Sequence, residues 1–120
     1  MMTGIIELIA QTTGCCTPAS AGINESEAEA ISADFQVFAH PVRVQLLTLL
    51  TRSTEDVCVC DLEAAVAVKQ PTVSYHLKLL REAGLVSYER RGPWAYYRVE
   101  RERLASLKAR INSHLDGWNR

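Results

Sequence analysis

The chain has 120 residues, 48% hydrophobic and 22% charged, with a formal net charge of −1. That length supports one hydrophobic core and not two, and the composition is that of an ordinary soluble globular domain. No apolar run approaches the roughly 20 residues needed to span a bilayer, so no membrane role is expected.

The N-terminal stretch "MMTGIIELIAQ" lacks a basic segment, and Glu7 interrupts its short apolar run, so it does not read as a signal peptide. A cytoplasmic location is therefore expected. Thiols stay reduced there, and paired cysteines point to metal or redox chemistry more than to structural disulfides. Residues 1–23 read as a flexible arm that carries the adjacent pair Cys15 and Cys16. Residues 24–118 read as the folded unit.

Asn24 is a helix cap, with acids crowding the first turn, for a helix running to about Phe38. Pro41 opens a second helix, where its missing N–H costs nothing; Val42, Leu46, Leu49 and Leu50 mark its buried face. "TRSTED" is a polar break. A short third helix is predicted from about Cys60 to Ala67, just after the thiol pair Cys58 and Cys60 in "DVCVCDL". In "VKQPTVSYHLKLLREAG", Gln70 takes the cap position, Pro71 the first helical position, and Gly84 the place just past the end. Val73, His76, Leu77 and Leu80 share one face of that helix, which turns Ser74, Tyr75 and Lys78 the other way. "LVSYERR" and "WAYYRVE" around Gly92–Pro93 form a β-hairpin with Arg90 and Arg91 near its tip. A last helix spans about Arg101 to Gly117. Its stripe Leu104, Leu107, Ile111 and Leu115, with Trp118 at the edge, suits a partner subunit; packing on its own core is the alternative.

A short helix, a turn, a second helix and a basic hairpin make a winged helix-turn-helix, mainly α with a small β-hairpin. In such modules the second helix enters the major groove and the wing touches the backbone beside it. Gln70, Thr72, Ser74 and Tyr75 can reach base edges or phosphates, while Lys78, Arg90 and Arg91 can neutralise phosphates. Charge supports this. Residues 1–68 hold two basic residues against nine acids, and residues 69–110 hold ten against four, so the second half suits an anionic partner. His76 and His40 read as structural residues. His114 and Asp116 are too few for a metal site on the last helix.

"FAHPVRVQLLTLL", "VCVCDLEAAVAVKQPTVSYHLKLLREAGLV" and "GPWAYYRV" together resemble the ArsR/SmtB family of metalloid- and metal-responsive repressors, over about residues 35 to 100. "VCVCDL" is similar to the arsenic-responsive branch. The resemblance implies a homodimer that binds an imperfect palindrome of double-stranded DNA and leaves it when an inducer binds. The implied inducer is As(III) or Sb(III), ions that take three thiolates in a pyramid and need no catalytic cofactor. Helix-dipole stabilisation is expected to favour thiolate at Cys58 and Cys60. The chain departs from the branch at Glu63, where the best-known arsenic site has its third cysteine. Cys15 and Cys16 are the candidates to complete the set; other members of the family resemble this chain in carrying such an adjacent pair on the arm, whose reach can cross the dimer. Which three of the four bind stays open. A thiol redox switch and a Cd(II), Zn(II) or Pb(II) sensor with four thiolates are the alternatives on the same fold. A metalloid-buffering thiol protein is the reading without DNA. An enzyme is not expected: no Arg lies six residues after any cysteine, as a phosphatase-like loop needs, and Cys-x-x-Cys is absent.

Overall fold

The computed structural model describes residues 22–119. Helix α1 spans Glu25–Gln36, α2 Pro41–Arg52 and α3 Val59–Ala65; α4 spans Gln70–Glu82 and α5 Arg101–Trp118. Strands β1 (Val57–Cys58), β2 (Val86–Arg91) and β3 (Trp94–Val99) form an antiparallel sheet in the order β1-β3-β2. None of the described helices is long and apolar enough to cross a membrane.

Local chemistry sets the helix ends. Asn24 and Glu27 form a reciprocal capping box, Glu27 N–H donating to Asn24 Oδ1 at 2.7 Å and Asn24 N–H to Glu27 Oε1 at 3.0 Å. His40 caps α2, its Nδ1 accepting from Val42 N–H at 3.1 Å, and Pro41 follows in the first turn. Helix α4 stops on Gly84 at φ +81°. There the Leu85 N–H donates to the Leu80 carbonyl and the Gly84 N–H to the Arg81 carbonyl, a Schellman motif in which buried Leu80 and Leu85 are the flanking apolar pair. That stop aims the chain straight into β2. At the other end of β2 the two-residue loop Gly92–Pro93 puts Gly at φ +65°, the positive value a tight hairpin needs at its first loop position.

The core joins α2 to α5 and the hairpin: Val42, Leu46, Leu47 and Leu50 of α2, Leu62 of α3, Val73, Leu77 and Leu80 of α4, Val86 of β2, Tyr97 and Val99 of β3, and Leu107 of α5. Helix α5 lies along α1. Arg110 grips Asp34 through two bonds of 3.1 Å, His114 Nε2 sits 3.0 Å from the same carboxylate, and Trp118 stacks on Phe35 at 5.9 Å.

Several sequence expectations change. The hairpin is part of a three-stranded sheet, because Val57 and Cys58 pair with Tyr97 and Tyr96. The third helix begins at Val59 and ends at Ala65, with Cys58 as its cap. Lys69, not Gln70, is the cap of α4, without a side-chain bond, and Gln70 is its first helical residue. On α2 the buried stripe is turned toward α5, so Leu47 is buried near Leu104 while Leu49 is exposed. Leu107 is 3% exposed within its own protomer and has almost no surface left to give a partner. It is a core residue and not an interface residue.

Candidate nucleic-acid interface and thiol site

Helix α4 stands on α2 and α3 through Val73, His76, Leu77 and Leu80, which leaves its other face to solvent. Gln70, Ser74, Tyr75 and Lys78 are exposed there and Thr72 is half-buried. Tyr75 is 57% exposed, an aromatic ring held in water on a helix otherwise lined with short polar groups. The helix is fastened from behind by Arg43. Its guanidinium reaches His76 Nδ1 at 3.3 Å and donates to the Gln36 carbonyl at 3.2 Å, joining α1, α2 and α4. His76 packs on His40 with ring centres 4.1 Å apart. Burial, then the nearby His40 and Arg43, hold the His76 imidazole below its ordinary value.

The sheet divides the wing residues between two faces. Val86, Tyr88 and Arg90 alternate with Ser87, Glu89 and Arg91. Tyr88 stacks on Tyr97 at 5.3 Å, and Arg81 of α4 lies 5.1 Å above the Tyr88 ring, so the first face is turned to α4. Arg90 continues that face, is exposed, and forms no ion pair among the described residues. Arg91 belongs to the opposite face and is engaged. Its Nη2 lies 2.5 Å from Asp56 Oδ2 and 3.4 Å from Glu89 Oε1, and its guanidinium stacks 4.6 Å from the Tyr96 ring centre. Arg98 forks onto Asp56 at 3.0 and 2.8 Å and reaches Glu89 at 3.1 Å. The Arg98 hydrogen bond is the main cause holding the Asp56 carboxyl below its usual range. The sequence offers both Arg90 and Arg91 as phosphate contacts; the register puts them on opposite faces of the sheet. It also passed over Trp94, 47% exposed directly across from Arg91 beside the wing loop. The signal was an indole in a strand start next to Gly-Pro.

The described thiols sit where β1 becomes α3. Cys58 is buried, Cys60 half-buried, and both are free. Cys58 Sγ accepts the Cys60 N–H at 3.4 Å, so a sulfur serves as the cap of α3. Hydrogen bonding to Cys58, then burial and the charges of Cys58 and Asp61, push the Cys60 thiol up. This runs against the expectation of a thiolate at Cys60: the neighbouring sulfur, burial and the Asp61 carboxylate all disfavour the charged form. Glu63 lies half-buried on α3. No group of three or more His, Cys, Asp or Glu that could hold a metal ion occurs among the described residues. Cys15 and Cys16 lie outside them. His114 is taken up by Asp34.

A helix pair with an exposed polar second helix, followed by a basic hairpin packed on that helix, defines a winged helix-turn-helix regulator. Residues 40–88 match the family model described as "Bacterial regulatory protein, arsR family". A putative arsenical resistance operon repressor of Halobacterium salinarum is 38% identical over 86 residues, covering 69% of each chain. Among solved structures, the antimony-specific transcriptional repressor AntR superposes with a TM-score of 0.56 at 27% identity, covering 90% of this chain and 96% of that one. The homodimeric winged helix-turn-helix DNA-binding domain of a possible ArsR-family regulator from Mycobacterium bovis gives 0.56 at 28%, covering 80% and 90%. The chain belongs to the ArsR family. It is a DNA-binding transcriptional regulator and not an enzyme.

Proposed function

We propose that the chain is a cytoplasmic repressor that binds operator DNA, an imperfect palindrome, as a homodimer and leaves it when As(III) or Sb(III) binds its cysteines. The observation that carries this reading is the Cys58–Cys60 pair at the junction of the sheet and the first helix of the helix-turn-helix. Two soft donors suit a soft ion and exclude Mg²⁺ or Ca²⁺. Two sulfurs leave a three-thiolate ion one short, and Cys15 or Cys16, of the same or the partner chain, supplies the third. The relatives point the same way: the Halobacterium protein is described as a putative arsenical resistance operon repressor and AntR as an antimony-specific repressor.

As(III) in water is neutral As(OH)₃, and each thiol replaces one hydroxyl and releases one water, so no prior ionisation is required. Drawing Cys58 and Cys60 toward a third sulfur strains the start of α3, and α4 packs on α3. If the DNA-bound and ion-bound shapes are incompatible, each ligand weakens the other by the same factor, typically about 5- to 150-fold.

In the DNA-bound form Gln70, Thr72, Ser74 and Tyr75 read base edges, and Lys78 and Arg90 meet phosphates, with Arg91 beside them. For the dimer, α1 and α5 offer an apolar hollow of about 450 Å³ lined by Phe35, Phe38, Ala39, Leu104 and Ile111. Leu115 is exposed further along α5.

The test uses double variants. Cys15→Ser/Cys16→Ser and Cys58→Ser/Cys60→Ser proteins should both bind operator and both lose most As(III) response. Absorption at the arsenic edge of the wild-type complex should show sulfur neighbours alone. A normal response from the Cys58/Cys60 variant, or an oxygen or nitrogen shell, would contradict the thiolate site.

A further inference from the structure

The face of the sheet that carries Arg91 also carries the thiol. Cys58 and Glu89 are the two cross-strand partners of Tyr96, one on each side of β3. Arg91 lies over the Tyr96 ring, and its fork is held by Asp56, two residues before Cys58. Asp56 also takes both bonds from Arg98 on β3. An isolated surface ion pair is a poor tether. Here one carboxylate is gripped by two guanidiniums, one of them bidentate, and Asp56 is the more covered partner, with 19% of its side chain exposed against 47% for Arg91. Asp56 directly precedes the two-residue strand β1, so a displacement of Cys58 reaches it through the single residue Val57.

We propose that Asp56 is the positioning residue that transmits inducer occupancy at Cys58 to the wing, by holding Arg91 in a place set by β1. This rests on the thiol-sensing reading above and names the route by which that site acts on DNA. A displacement of β1 toward a third sulfur carries the Asp56 carboxylate with it, and Arg91 and the adjoining Gly92–Pro93 tip follow. The wing then leaves the position in which Arg90 continues the face turned to α4. DNA phosphates compete with Asp56 for the same guanidinium, so the carboxylate also restrains binding in the absence of inducer. A route through α3 alone would leave the wing still and would not need Asp56.

The test measures operator affinity of the reduced full-length protein by fluorescence anisotropy, with and without saturating As(III), and counts bound As(III) by direct assay after desalting. Wild type should lose affinity about 5- to 150-fold on saturation. Asp56→Asn should fold, bind operator at least as tightly as wild type, bind As(III) with the same stoichiometry, and lose less than about one third of the wild-type factor on a linear scale of fold-change. Arg91→Gln should show the same loss of coupling, and the double variant Asp56→Asn/Arg91→Gln should lose no more than either single one, since the two act as a unit. An Asp56→Asn protein that is released as fully as wild type would overturn this proposal and leave thiol sensing intact. Additive losses in the double variant would overturn it too, by showing that Asp56 does not act through Arg91. A wild-type protein that binds no As(III), or keeps its operator when it does, would overturn the sensing reading and this proposal with it.

Discussion

Arg90 and Arg91 are neighbours in the sequence and lie on opposite faces of β2. Arg90 shares its face with Tyr88, under Arg81 of α4, while Arg91 is bound to Asp56 and Glu89. Arg90→Ala should therefore weaken specific and random duplex alike and flatten the salt dependence of binding by about one log unit per lost phosphate contact. Arg91→Ala should flatten it less. Equal slopes for the two variants, read from affinity against salt concentration, would contradict the division. Nothing in "ERRGPW" signals it, because the decisive partner is 35 residues away and the face follows from a register that spacing alone does not fix. The exposed polar set on α4 was legible, since Val73, His76, Leu77 and Leu80 fix its buried side and leave Ser74, Tyr75 and Lys78 outside. Residue chemistry at Cys60 was not, because its thiol is pushed up by Cys58, burial and Asp61, which spacing alone does not weigh.

Among the elements, α4 carries the proposed reading surface and is tied to the body by a titratable group. The folded chain disfavours the charged form of His76, through burial and then through His40 and Arg43, so its value lies below the ordinary 6.5. The unfolded chain takes the proton first. The stability this neutral histidine provides is complete above 6.5 and is lost as pH falls through the folded value. Thermal unfolding should show the wild-type midpoint dropping more than that of His76→Gln between about pH 7 and about pH 5, the window in which histidine titrates. Parallel curves would mean that His76 is not the group responsible. The helices themselves were readable from their ends: Asn24 with Glu27, Pro41, and Gly84 each signal a cap or a stop. Strand β1 was hidden, because two residues carry no period and its pairing with Tyr96 and Tyr97 is long-range. The exchange of Leu49 for Leu47 has a similar cause. Both fit a helical stripe, and only the position of α5 decides between them.

At the scale of the whole molecule, the basic residues of the second half are shared among α4 with its cap, the wing strands and α5, while the described acids of the first half lie on α1 and around the thiols. Self-association and folding separate along α5. Leu107 is in the protomer core, so Leu107→Asp should unfold the chain, exceeding the roughly 2–5 kcal/mol of a core Leu→Ala change. Leu115 is 46% exposed, so Leu115→Asp should keep the fold and yield monomers with weakened operator binding. A buried leucine contributes about 1.5–3 kcal/mol, and a symmetric interface counts it twice. Sedimentation and circular dichroism separate the two outcomes, and a stable Leu115→Asp dimer would remove that residue from the interface. The stripe Leu104, Leu107, Ile111 and Leu115 was visible in the sequence, but periodicity cannot divide a stripe between the chain's own core and a partner. The winged helix-turn-helix was legible because caps, turns and the change of period agree along the chain.

The most direct test of the central claim is a release titration of the reduced protein on its operator, run in parallel with As(III), Sb(III), Cd(II), Zn(II) and peroxide. As(III) and Sb(III) should release the DNA at the lowest concentrations, close to the concentration of protein sites, with peroxide acting only at large excess. Release by Cd(II) or Zn(II) at site concentration while As(III) leaves the complex intact, or release by peroxide ahead of the metalloids, would contradict it.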